Sequence, residues 1–111
     1  MIRLPMSPTA GALVRALTAR AGVSRDRILL CDAHSTDWQS LTFTGERHQI
    51  CLRVPPPGAR AVTEAMCTGL EDAEFSIPGV CVADIALVGK PDLGFDGSIE
   101  ITVEALTIAD D

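Results

Sequence analysis

The sequence predicts an α+β fold, in which two helices pack on one face of a mostly antiparallel sheet of four to six strands. Apolar residues recur at helical spacing in two separate segments, one near the start of the chain and one just after its middle. Each segment is followed by short stretches of alternating apolar and polar residues, which are typical of strands. Because the strands come in runs after each helix, hairpins are favoured over parallel crossovers.

The length of 111 residues predicts one domain over residues 1–111, large enough to bury a core without disulfide bridges. The apolar share of 47% and the charged share of 22% are ordinary for a globular protein. Aromatic residues make up only 4% of the chain, so the core must be built from valine, isoleucine, leucine and alanine.

The first helix has the clearest signals at its ends. Ser7 can cap its start, Pro8 suits its first turn and Gly22 can end it. Its apolar stripe consists of Ala10, Leu13, Val14, Leu17 and Ala21. A short strand over 28–31 and a polar loop over 32–37 are predicted to follow.

A hairpin is predicted next, with strands over 38–44 and 48–54 and a turn at Gly45 and Glu46. One side of this hairpin is apolar and the other polar, as expected of an antiparallel sheet with one covered face. His48 falls on the apolar side, where a histidine is more often a core residue than a ligand. The prolines at 55–57 end the hairpin, because proline cannot donate to a strand ladder.

The second half starts with a helix after Gly58. Residues 80–88 are nearly all apolar, so we expect a central strand buried on both sides, or a strand covered by a partner. Asp84 interrupts this strand, and its burial would require a partner such as Arg47 or Arg53.

The last strand is predicted over 98–108, after a long turn over 89–97 rich in glycine and aspartate. Its alternation shifts near its end, since Leu106 and Ile108 are out of phase with the preceding apolar residues. We therefore expect a bulge near Glu104 and Ala105.

The two halves of the chain have similar layouts and opposite charge. Residues 8–54 and 58–106 each give a helix followed by strands, which raises the hypothesis of an internal α-β-β duplication. Residues 1–60 hold eight arginines against four acidic residues, a charge of +4, whereas residues 61–111 hold one lysine against eleven acidic residues, a charge of −10. A repeated sheet of opposite charge favours assembly over chemistry.

Composition argues against several classes of partner. The net charge of −6 and the scarcity of aromatic residues disfavour nucleic-acid binding. No stretch approaches the roughly 20 apolar residues of a membrane span, so no membrane partner is predicted. The four cysteines form no C-x-x-C pair, which favours reduced, mostly buried thiols in a cytoplasmic protein.

One polar cluster offers candidates for ligand binding. A thiol, an imidazole and two carboxylates lie between Cys31 and Trp38, and His48 is the other histidine of the chain. The residues of this candidate binding site are Cys31, Asp32, His34, Asp37, Trp38 and His48. Their types suit a metal or a cysteine nucleophile, but a solvated loop accounts for the same residues.

No catalytic motif is present, so we predict no catalytic residue, no metal ligand and no cofactor, and an enzyme is disfavoured. The favoured function is a non-enzymatic interaction module that forms a homo-oligomer, with a dimer preferred. Its predicted interface residues are Arg47, Arg53, Glu100 and Glu104. The alternative is a small-molecule or metal-binding protein that uses the 31–38 segment and His48. A weaker possibility is anion binding by the arginines at 25, 27, 47 and 53.

Overall fold

A computed structural model describes residues 6–110. Its elements are helix α1 (Pro8–Ala21), strands β1 (Leu29–Gln39) and β2 (Thr44–Val54), helix α2 (Ala59–Cys67), and strands β3 (Val80–Leu87), β4 (Asp92–Leu93) and β5 (Ile99–Ala109). Single 3-10 turns, Arg25–Arg27 and Leu70–Asp72, follow the two helices. The predicted α+β fold, with two helices packed against an antiparallel sheet, is confirmed.

All strand pairs of the sheet are antiparallel, and the order is β1-β2-β5-β3, with the short β4 paired to the start of β5. β2 and β5 are therefore the central strands. The register of this central pair runs without interruption from Gly45 opposite Ile108 to Val54 opposite Ile99. Strands far apart in the sequence thus meet at the middle of the sheet.

Helix α1 begins and ends where the sequence predicts. The Ser7 hydroxyl accepts a hydrogen bond from the backbone N–H of Ala10, and Gly22 adopts the left-handed conformation that ends the helix. The Arg20 side chain donates to the backbone carbonyls of Met66 and Thr68, which ties α1 to the end of α2. Neither helix of the described chain is long and apolar enough to cross a membrane.

The core lies between the helices and one face of the sheet. Leu13 and Leu17 of α1 and Met66 of α2 are fully buried there. The sheet contributes alternate residues of its central strands, which are Ile50, Leu52, Val54, Ile99, Ile101, Val103 and Ala105. This period of two in burial means that the other face of β2 and β5 points away from the core.

The predicted loop over 32–37 is wrong, because these residues continue β1 as far as Gln39. An edge strand with one wet side accepts polar residues without losing its ladder. The turn lies at 40–43 instead of Gly45 and Glu46. There the Ser40 hydroxyl accepts hydrogen bonds from the backbone N–H groups of Thr42 and Phe43.

Gly45 belongs to β2 rather than to a turn. A Cβ atom added at this position would overlap the backbone carbonyl oxygen of Thr107 on the neighbouring strand. Glycine is therefore required by the close approach of two backbones, which explains a breaker residue inside a strand.

Strand β3 also differs from its prediction. It lies at the edge of the sheet rather than at the centre, and Asp84 is exposed instead of buried. The expected bulge in the last strand is absent, since β5 keeps its alternation as far as Thr107, which is buried. The register shift occurs in β3, between Val82 and Asp84. Leu106 and Ile108 consequently lie on the sheet face that the helices leave free.

The strand order is symmetric about the centre of the sheet: edge, central, central, edge. Each edge strand has one register shift, in β1 between Leu30 and Asp32 and in β3 between Val82 and Asp84. The shift in β1 faces Leu52 and Cys51, and the shift in β3 faces Thr107 and Leu106. These are the ninth and eighth residues of β2 and of β5, respectively. The internal duplication stays a prediction, and this symmetry is the arrangement it requires.

Candidate functional site

No described element covers the sheet face opposite the helices. We call it the open face. On the central strands it consists of Arg47, Gln49, Cys51, Arg53, Glu100, Thr102, Glu104, Leu106 and Ile108. Gln49 and Glu104, which lie opposite each other at its centre, are both exposed. The open face is therefore available to a ligand or a partner.

A shallow concavity of about 230 Å³ lies at the middle of the open face. Arg47 lines it together with two carboxylates, Asp84 and Glu104, and with the His34 side of β1. Leu106 and Ala86 supply its apolar part. Mixed charge around a small apolar patch is a surface that can recognise a polar partner of either sign.

Two of the predicted interface residues are neighbours across the central ladder but do not pair with each other. Arg53 lies opposite Glu100, yet its guanidinium donates to the Asp96 carboxylate at 2.7 Å, the one salt bridge within residues 6–110. Hydrogen bonds from the side chain and backbone of Ser98, and then from Arg53, lower the pKa of Asp96 to about 2. One positive charge of the first half, that of Arg53, thus pairs with a negative charge of the second half within the same chain.

Glu100 instead accepts a hydrogen bond from the thiol of Cys51, with 3.2 Å between Sγ and Oε1. The Cys31 thiol joins this pair from β1, so that the ligand atoms of Cys31, Cys51 and Glu100 all lie within 4.8 Å of one another. Burial first, and then the hydrogen bond and charge of Glu100, raise the pKa of Cys51 to about 12. Three adjacent strands therefore bring two thiols and a carboxylate to one point of the open face.

The residues of the predicted binding segment lie along β1 and divide between its two sides. In the ladder Asp32 lies opposite Cys51, His34 opposite Gln49 and Trp38 opposite Gly45, which puts them on the open-face side. Asp37 lies opposite Glu46, in phase with the buried residues of β2. The segment is a strand, and its side chains do not converge on one pocket.

His48 occupies the helix-covered side of the sheet and is 2% exposed. Its Nδ1 is 2.8 Å from the Ser35 hydroxyl, and its Nε2 is 2.8 Å from the Thr107 hydroxyl. Both ring nitrogens are therefore occupied by partners from neighbouring strands. Burial lowers the pKa of His48, and the nearby charge of Glu46 offsets part of this effect.

Sequence reasoning placed Cys31 in the candidate site and Glu100 in the interface, but it left Cys51 out of both. The available signal was parity, because Cys51 shares the outward phase of Gln49 and Arg53 in an alternating strand. The pairing of β2 with β5, which joins Cys51 to Glu100, is set by tertiary structure. No protein-family model and no curated protein matches the sequence.

Proposed function

We propose that this protein is a non-enzymatic interaction module that forms a homodimer by packing two open faces against each other. The observation that supports the proposal is the presence of Leu106 and Ile108 on the free face of a central strand. Apolar residues at these positions stay partly wet in a single chain, and a second sheet at about 10 Å would cover them.

The size of the open face is adequate for such a dimer. Its four long strands have 11, 11, 11 and 8 residues. With strands about 4.8 Å apart and a rise of about 3.4 Å per residue, the face covers roughly 650 Å². Two such faces bury roughly 1,300 Å² in total, above the roughly 1,000 Å² expected of a biological interface.

The charges of the open face suit a second copy of the same chain. A two-fold axis that runs parallel to the strands, between β2 and β5, lays β2 of each copy over β5 of the other. Arg47 then lies over Leu106 of the second copy, next to its Glu104, because Arg47 and Leu106 are at the same height in the ladder. Each dimer would form two such contacts, which is how charge of opposite sign on the two halves favours self-association.

The alternative function, ligand binding, has weaker support. The concavity of about 230 Å³ is smaller than the roughly 300–1,000 Å³ of ordinary small-molecule pockets. A second concavity, of about 350 Å³ beside Arg53 and Glu100, is lined by none of the residues of the predicted binding site. His48 is occupied by two hydroxyl partners, so its ring is poorly placed to take a ligand. The four cysteines are free thiols, which accords with the cytoplasmic location that we include in the proposal.

The substitution Leu106→Arg tests the dimer. We expect wild-type protein to sediment as a dimer and the variant as a monomer, with affinity at least about 100-fold weaker, because the two-fold axis lays each new arginine over Arg47 of the second copy, where like charges repel. Sedimentation equilibrium over a range of concentrations, at low and high salt, measures the change.

Leu41→Arg is the matched control, since Leu41 lies in the turn between β1 and β2 and is fully exposed. This variant should dimerise as the wild type does. A wild-type protein that stays monomeric at every concentration and salt would remove the proposal. Equal effects of the two substitutions would mean that the interface lies elsewhere.

A further inference from the structure

The cluster of Cys31, Cys51 and Glu100 has the composition of a metal site. Thiolate sulfur and carboxylate oxygen are both zinc ligands, and the three residues project from three adjacent strands. Cys51 and Glu100 belong to the uninterrupted central ladder, and Cys31 is the extra residue at the register shift of β1. A zinc ion bound about 2.3 Å from each sulfur and about 2.1 Å from oxygen separates its tetrahedral ligands by roughly 3.6–3.8 Å. The three ligand atoms lie within 4.8 Å of one another, and the 3.2 Å between Cys51 and Glu100 is shorter by about 0.4 Å than the sulfur–oxygen separation at zinc, so a small movement of these side chains would admit the ion.

The Glu100 carboxylate of the cluster forms no salt bridge within residues 6–110. Glu100 faces Arg53 across the ladder, but the guanidinium turns to Asp96 and leaves Glu100 to a thiol. The thiol proton of Cys51 therefore lies between its sulfur and the Glu100 carboxylate. A metal cation in place of this proton would bind both groups.

We propose that Cys31, Cys51 and Glu100 bind one thiophilic divalent cation of the zinc class. Two thiols give up their protons on binding, so that two thiolates, one carboxylate and the dication form a site of net charge −1 and two protons are released to solvent. The fourth tetrahedral position faces the open side of the sheet. Three protein ligands with one free position is the arrangement of zinc sites that also take a water molecule or a further ligand.

The inference does not rest on the proposed dimer, because all three ligands come from one chain. It is also distinct from the binding site predicted from the sequence, of which it shares only Cys31. The two other cysteines provide internal controls. Cys81 is exposed on β3 and Cys67 is half-buried on α2, and neither joins the cluster.

Reduced full-length protein titrated with Co²⁺ and then with Zn²⁺ tests the site. We expect one ion per chain, with a sulfur-to-cobalt charge-transfer band that Zn²⁺ abolishes. Cys51→Ser and Cys31→Ser should each weaken Zn²⁺ binding at least about 100-fold, and Glu100→Gln at least about tenfold, since each removes a direct ligand. Cys81→Ser and Cys67→Ser should leave the affinity unchanged.

A second measurement uses the wild type alone and so does not depend on the folding of any variant. Zn²⁺ should protect Cys31 from alkylation while Cys81, the other exposed thiol, remains as reactive as before, as located by peptide mass mapping. The absence of a thiolate band at one equivalent of Co²⁺, or the absence of protection at Cys31, would overturn the proposal. Leu106→Arg should bind Zn²⁺ like the wild type, which separates this test from that of the dimer.

Discussion

The two halves of the sheet share one backbone arrangement and differ in chemistry. In each half a helix and a 3-10 turn precede an edge strand, which pairs with a central strand of 11 residues. The register shift of each edge strand faces the same two positions of its central strand. In the first half this places Cys31 beside Cys51, whereas the equivalent residues of the second half are Ala83 and Leu106.

The comparison separates what the backbone requires from what the side chains add. Each edge strand has a bulge. The bulge of β1 brings Cys31 beside Cys51, whereas the bulge of β3 lies opposite Leu106, an apolar residue of the proposed dimer contact. The third ligand, Glu100, corresponds by position to Gly45, where no side chain fits. The same backbone arrangement therefore has Cys31 and Cys51 at the bulge of the first half and Leu106 at the bulge of the second half.

The largest expected effect that probes this comparison comes from Gly45→Ala. A methyl group at Gly45 would overlap the carbonyl oxygen of Thr107, so β2 and β5 must separate locally. We expect the free energy of unfolding to fall by about 3 kcal/mol, the upper part of the range for overpacked sites. Urea denaturation followed by circular dichroism measures it.

Gly11→Ala is the matched control, because Gly11 lies inside α1 and a Cβ there meets only side-chain atoms at 3.5 Å or more. Alanine should raise the free energy of unfolding by roughly 0.5–1 kcal/mol through its better helix propensity. If Gly45→Ala is as well tolerated as this control, the two central strands do not approach as closely as the structure shows.

An intermediate effect concerns His48, whose equivalent in β5 is Val103. Burial lowers the pKa of His48 below its ordinary 6.5. Between the two pKa values, His48 is therefore protonated in the unfolded chain and neutral in the folded chain. Stability from this group is therefore present above pH 6.5 and is lost as the pH falls toward the folded-state pKa. The loss has a slope of at most about 1.4 kcal/mol per pH unit.

His48→Gln should flatten this acid-side loss, even if it lowers stability at neutral pH by disturbing the hydrogen bonds to Ser35 and Thr107. His34→Gln removes the exposed histidine of β1 and should keep the wild-type loss. Thermal unfolding of all three proteins between pH 5 and pH 8 gives the comparison. A loss of the same slope in the His48→Gln variant would show that other groups cause it.

The fold was predictable because its strongest signals are local. Ser7, Pro8 and Gly22 mark the ends of α1, and alternation marks β5, so two helices and an antiparallel sheet follow from short-range patterns. The errors fall where local patterns are ambiguous. Polar residues at the edge of a sheet resemble a loop, and Gly45 resembles a turn because sequence does not show which backbone lies beside it.

The candidate site was less predictable, because it depends on strand pairing. Cys31, Cys51 and Glu100 come from three strands, and their approach requires both the order β1-β2-β5 and the register of each pair. A register displaced by one residue would turn Cys51 toward the core. Sequence shows which residues share the outward phase of one strand, but the partner of each residue is fixed by the pairing of distant segments.

The smallest expected effect distinguishes two arginines of the first half. Arg53 already pairs with Asp96 in its own chain, whereas Arg47 has no salt-bridge partner among residues 6–110 and would meet Glu104 of the second copy in the proposed dimer. Arg47→Gln should therefore weaken dimerisation about two- to fivefold at low salt, the magnitude of an exposed ion pair. At high salt the difference should vanish, because screening removes the contribution of this pair in the wild type. Arg53→Gln, measured by the same sedimentation experiment, should weaken dimerisation less than Arg47→Gln, because Asp96 already holds the Arg53 guanidinium. A reversed order of the two effects would mean that the charge of the first half acts within the chain rather than between copies.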